Sequence, residues 1–161
     1  MKEIKHLLLN SASHKNIYKK SKVAIVVARF NAVITENLLT SCKKELIEHG
    51  VSERNIYIQY VPGAFELPFV SSQLAKTRKF NSVITLGCVI KGETSHDLFV
   101  SSWASIGVGM ASLESGIPIL FGVLTPNNEK QALVRSRPGP KNRGREVGLA
   151  ALEMMFINKG R

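Results

Sequence analysis

The 161-residue chain has only two cysteines, Cys42 and Cys88. Two thiols make no disulfide framework, and neither stands at metal-ligand spacing from another ligating residue. Such a chain is expected in a reducing compartment, and we read it as cytoplasmic. No apolar run is long enough to span a bilayer, and Leu7-Leu8-Leu9 is too short for the apolar stretch of a secretion signal. There is no Gly-x-Gly-x-x-Gly fingerprint, no phosphate loop of the nucleoside-triphosphate kind and no cluster of metal ligands. Dinucleotide, triphosphate and metal chemistry are therefore disfavoured. Acid is scarce as well: 12 Asp and Glu stand against 22 Lys and Arg, a formal charge of +10.

The basic excess falls in two places. Residues 1–22 carry Lys2, Lys5, Lys15, Lys19, Lys20 and Lys22 against Glu3 alone, and Arg135, Arg137, Lys141, Arg143 and Arg145 follow one another with no acid between them. Clusters of this kind steer anionic small molecules or attract nucleic acid and membrane surfaces. These runs carry no nucleic-acid recognition motif and no interleaved aromatics. Neither nucleic acid nor a membrane is expected as the partner; a small anionic ligand is.

With 44% apolar and 21% charged residues, the composition is that of an ordinary globular protein. Its length suits one domain burying roughly 70% of the surface of its unfolded chain. Residues 1–21 read as a basic tail without sustained periodicity, with Lys5 to Leu9 pairing with a neighbour, and residues 22–161 as a single domain. Four strands are expected, over 22–29, 55–61, 82–90 and 118–124. All but the second are continuous apolar runs, as in a parallel sheet covered on both faces. Ile34, Leu38, Cys42 and Leu46, with Leu39 and Ile47 beside them, paint one face of a helix that places Cys42 in the core. Asn31 is its expected N-cap and Gly50 its stop. Further helices are expected over 65–78, over 97–115 ending at Gly116, from Asn127 or Asn128 to about Arg135, and around Val147 to Met155. Strand and helix alternating in this way predict right-handed βαβ units and an α/β fold, a three-layer αβα sandwich.

Ligands of such open sheets bind beyond the carboxyl ends of the strands. Arg29-Phe30-Asn31, Val61 to Glu66, Gly87 to His96 and Phe121-Gly122 are therefore expected along one rim. Gly87 to His96 leads from a buried strand through a glycine-framed turn into a helix, and a helix start of this kind offers free N–H groups and a positive dipole end to an anion. His96 sits there with a side chain suited to proton transfer near neutral pH. Phe30 and Phe121 would stack on a planar ring. Glu66 either caps a free backbone donor or accepts from ligand hydroxyls. Arg135 would grip a phosphate with a charge-assisted fork. A Cys88–His96 nucleophile pair is disfavoured, because no third residue orients it and a buried strand-end thiol is inert.

Four motifs carry a resemblance: Val61-Pro62-Gly63-Ala64-Phe65-Glu66-Leu67-Pro68; Gly87 to His96; Phe121-Gly122-Val123-Leu124-Thr125 with Glu129, Gln131 and Ala132; and Ala151-Leu152-Glu153-Met154. In register from about residue 22 to 158, the sequence resembles the 6,7-dimethyl-8-ribityllumazine synthase family. The resemblance implies a flavodoxin-like fold with a four-stranded parallel sheet, assembled into pentamers and in many members a sixty-subunit shell. It implies 5-amino-6-(D-ribitylamino)uracil and L-3,4-dihydroxy-2-butanone 4-phosphate as substrates, joined without metal or organic cofactor, and riboflavin synthase as a partner. By resemblance, Phe30 stacks on the pyrimidine, and Ala64, Phe65 and Glu66 hold the ribityl chain. Cys88, Val89 and Ile90 meet the ring edge through backbone groups. Glu93 and Thr94 donate N–H groups to phosphate, and His96 carries the proton. Phe121 and Arg135 come from a neighbouring subunit.

The sequence also departs from the family. Arg143 stands where the family has a lysine, and we keep it as an accessory cation whose geometry differs. Pro138 and Pro140 stiffen the preceding loop, which in this family influences whether pentamers build a shell. Cys88 occupies a common threonine position, and the basic tail has no family explanation.

Overall fold

A computed structural model of the chain describes residues 12–159. The Lys5 to Leu9 segment lies outside the described residues. The four strands are β1 (Val23–Ala28), β2 (Ile56–Val61), β3 (Ser82–Cys88) and β4 (Ile119–Leu124), each within the stretch expected for it. They form one sheet of order β2-β1-β3-β4, parallel throughout. The helices are α1 (Ala12–Lys20), α2 (Ala32–Glu48), α3 (Leu67–Lys76), α4 (His96–Ser115), α5 (Glu129–Ser136) and α6 (Arg143–Lys159). None of them is long and apolar enough to cross a membrane.

Alternation along the strands builds two cores. Val23, Ile25 and Val27 of β1 and Ile84 and Leu86 of β3 pack with α2 and α6; Ala24, Val26 and Val83 pack with α3 and α4. Both faces are dry, which is why β1 and β3 read as unbroken apolar runs. The mixed run at β2 has an equally plain cause: β2 is an edge strand, and Tyr57 and Tyr60 are about half exposed.

Three expectations need correction. Residues 12–20, read as tail, form α1, and Tyr18 is fully buried in the α2/α6 core with Ile17 packed beside it. One buried ring in a nine-residue helix leaves no stripe to detect. Lys19 and Lys20 fall in its last turn, where cations complement the helix dipole. In α2 the stripe of Ile34, Leu38, Leu39, Cys42 and Leu46 is buried as expected, whereas Ile47 is exposed. Gly50, at φ 108°, ends that helix, but Asn31 does not cap it through its side chain.

The tightest joint in the fold is α6 on α2. A Cβ added at Gly144 would lie 2.0 Å from the Leu38 carbonyl oxygen, and one at Gly148 would lie 3.2 Å from that of Cys42. Two glycines one turn apart let the backbones touch. A buried Glu45 accepts from Arg145 Nε across the same joint at 2.8 Å. Gly144→Ala is expected to cost about 3 kcal/mol or more, because backbone cannot yield as a side chain can, and Gly148→Ala about 1 kcal/mol. Denaturant melts of the two variants check the order; equal losses would contradict a backbone contact at Gly144.

Candidate active site

The sheet order reverses between β1 and β3, and this is where a crevice must open beyond the strand ends. A cleft of 540 Å³ lies there. Phe30 and Asn31, after β1, form one side. The turn after β2, from Pro62 to Glu66, forms the second, and Cys88 to Ile90 with Gly92, Thr94, His96 and Asp97 the third. The structure thus gathers Phe30, Ala64, Phe65, Glu66, Cys88, Val89, Ile90, Thr94 and His96 around one space. Glu93 lies exposed in the same turn, between Gly92 and Thr94.

Each wall is fixed by backbone chemistry. Arg29 and Phe30 N–H groups donate to the Val61 and Pro62 carbonyls at 2.8 and 3.1 Å. The Phe30 ring, 71% exposed, therefore stands out from a pinned loop. Asn31 takes the left-handed conformation, φ 59°, which asparagine tolerates better than most residues. Its Nδ2 donates to the Cys88 carbonyl at 2.9 Å and ties the β1 loop to the end of β3. Phe65 is held from behind by Trp103, whose Nε1 donates to the Phe65 carbonyl at 3.1 Å and whose ring lies 5.6 Å from the phenyl ring.

Of the two roles considered for Glu66, the structure shows the cap. Oε2 accepts the Gly63 N–H at 2.8 Å, capping the turn that enters α3. Oε1 has no hydrogen-bond partner among the described residues, and Glu66 lines the cleft. Beyond β3, the Val89 and Lys91 N–H groups bond to Leu124 and Pro126 carbonyls. Alternation along an extended chain turns the Ile90 amide the other way, toward the cleft.

His96 is the first residue of α4 and is exposed. The Ser95 side chain does not cap the helix; instead Gly92 N–H donates to Asp97 Oδ1 at 3.3 Å and His96 N–H to Thr94 Oγ1 at 3.4 Å. The turn is thereby closed on itself, at the positive end of a 20-residue helix.

Three expected residues lie elsewhere in the chain. Phe121 is the third residue of β4, opposite Thr85, and packs toward the α3/α4 core. It and Gly122 lie within the strand, not beyond its end, so the expectation that they share the rim is corrected. Arg135 lines a second cleft, of 580 Å³, at the carboxyl end of β4. Arg143 opens α6. Conversely, Asp97 and Trp103 are not among the expected residues, and Asn31, expected on the rim, serves there as a tie to Cys88 rather than as a helix cap. Nothing local marks Trp103, whose partner is 38 residues away.

Burial pushes the Cys88 thiol up to about 11. A protonated, 2% exposed thiol is a poor nucleophile near neutral pH. Native protein is expected to resist iodoacetamide at Cys88 at pH 8 and to react only as pH approaches 11. The thiolate is favoured by unfolding, so this group lowers stability as pH rises above its ordinary value. Mass spectrometry of the alkylated peptide checks this; rapid labelling at pH 8 would contradict the buried placement.

A family model described as 6,7-dimethyl-8-ribityllumazine synthase matches residues 20–159, nearly the whole chain. The match covers every strand, every residue lining the cleft, and Arg135 and Arg143 beyond it. The chain belongs to the 6,7-dimethyl-8-ribityllumazine synthase family, transferases of riboflavin biosynthesis.

Proposed function

We propose that this chain condenses 5-amino-6-(D-ribitylamino)uracil with L-3,4-dihydroxy-2-butanone 4-phosphate to give 6,7-dimethyl-8-ribityllumazine, phosphate and water. The observation that carries this reading is the grouping of Phe30, Glu66, the Ile90 amide and His96 around one cleft at the sheet's switch point. Phe30 offers a face for the pyrimidine, and the Ile90 amide a donor and acceptor for its edge. The unpartnered Glu66 oxygen suits ribityl hydroxyls.

The reaction needs little beyond placement. The ring amine attacks the ketone and water leaves as the imine forms; the phosphate is eliminated; the second amine closes the ring with loss of water. Holding two reactants in register is worth several powers of ten. The N–H groups of the Glu93-Thr94 turn would receive the phosphate at the positive end of α4. His96, one step along the same helix, would move protons between carbon and oxygen.

A single chain supplies half of such a site. Glu66 and Asp97 line the cleft with negative charge, whereas Phe121 and Arg135 are outside it. The outer face of α4 carries Leu98, Phe99, Ile106, Met110 and Leu113, each more than half exposed. An apolar stripe of that size calls for cover. Self-association into a pentamer or larger assembly would cover it and bring a neighbour's Phe121 and Arg135 to the cleft.

Purified protein given both substrates should develop lumazine fluorescence; none would sink the reading. His96→Ala is expected to lower kcat by at least about tenfold with KM little changed, the low end for lost proton transfer because water can substitute in part. Unchanged kcat would remove its role. Light scattering should report at least a pentamer, and a monodisperse active monomer would contradict the shared site.

A further inference from the structure

Arg135 is not free to turn. Its Nη2 donates to both oxygens of Glu146, at 3.2 and 3.0 Å. The same carboxylate accepts from Arg143 Nη1 at 3.2 Å, and Arg143 Nη2 donates to the Phe121 carbonyl at 2.8 Å. One carboxylate sits between two guanidinium groups, and the second of these is fastened to main chain. That fastening point follows from the sheet. Val83 and Val89 N–H groups bond to the Pro118 and Leu124 carbonyls, so alternation aims the carbonyls of Pro118, Leu120, Gly122 and Leu124 at β3. The Phe121 carbonyl points to the free edge, where no strand follows, and Arg143 covers it.

We propose that Glu146 and Arg143 are positioning residues for Arg135. Arg143 tethers Glu146 to β4, and Glu146 holds Arg135 Nη2 so that Nε and Nη1 stay available on the margin of the second cleft. Among the described residues those two nitrogens have no protein partner. In this chain Arg143 is a clasp rather than an anion ligand. An arginine suits the task because its rigid plane serves a carboxylate and a carbonyl at once; a lysine ammonium is a single point on a flexible stem. The inference rests on the reading of Arg135 as the phosphate ligand.

Charge and position give opposite forecasts, which makes the idea testable. The two arginines and Glu146 together carry +1. Glu146→Gln raises this to +2, so bare Coulomb attraction predicts a lower KM for the butanone phosphate. Positioning predicts a KM raised about tenfold with kcat little changed, the scale of losing one well-aimed charge-assisted bond. Arg143→Lys keeps the charge and is expected to raise KM likewise. A KM lowered or unchanged in Glu146→Gln, or a wild-type KM in Arg143→Lys, overturns the proposal.

The three side chains are each roughly a third exposed or less, so these pairs add little to stability and melting temperatures should hardly move. Hydrogen exchange along α5 should quicken in both variants. Unchanged α5 exchange would overturn the clasp, even in a protein that forms no lumazine. Absence of product with quickened exchange would sink the reading of function and leave the clasp standing.

Discussion

Everything in this fold follows from two strands that are buried on both faces. Each of the six residues of β1 and seven of β3 is out of contact with water. A strand so enclosed has no room for chemistry along its length, because a polar group there would have to be satisfied internally. Reactive groups are therefore pushed to the carboxyl ends, where the chain leaves the sheet and its N–H and C=O groups need partners. The bonds that satisfy them, Phe30 to Pro62, Asn31 to Cys88 and Val89 to Leu124, are the ones that draw the cleft. Satisfying the ends of the sheet and shaping the site are one problem with one solution.

The same constraint explains what the sequence made legible. Strands enclosed on both faces are mostly apolar, so β1 and β3 stand out as runs; β4, though an edge strand, is apolar too because helices cover both its faces, and the turns that follow these strands are located by adjacency. Fold class, the two helical layers and most of the cleft came from that pattern alone. What escaped was whatever depends on distant partners. Asn31 has the side chain of a good N-cap, and only the carbonyl of Cys88, 57 residues on, explains why it is used otherwise. Phe121 is expected on the rim as the end of a strand, but β4 runs on through Leu124 and leaves it three residues short of the open end. Glu146, in the first turn of α6, carries no local sign that two arginines share it.

The charge pattern takes on meaning in the same way. A count of +10 suggests a polyanion partner, yet three of the arginines in the basic run from residue 135 to 145 are engaged by acids of the same chain. Arg135 and Arg143 meet Glu146, and Arg145 crosses to Glu45. These cations join α5, α6 and α2 and cover an edge carbonyl.

The cleft and the clasp are two halves of one electrostatic argument. Helix N–H groups at the start of α4 favour an anion, but Glu66 and Asp97 beside them oppose it. A phosphate dianion entering the cleft of a lone chain would meet partial positive charge from the backbone and full negative charge from two carboxylates. In the proposed assembly a neighbour's guanidinium would supply the missing charge, and it would have to arrive aimed, since an arginine left to rotate would find those carboxylates first. Glu146, which already accepts from Arg135 within one chain, would prevent that collapse. A site divided between copies would thus be protected from quenching itself, and the acid that lowers the net charge of the cation cluster would keep its remaining donors free for a ligand.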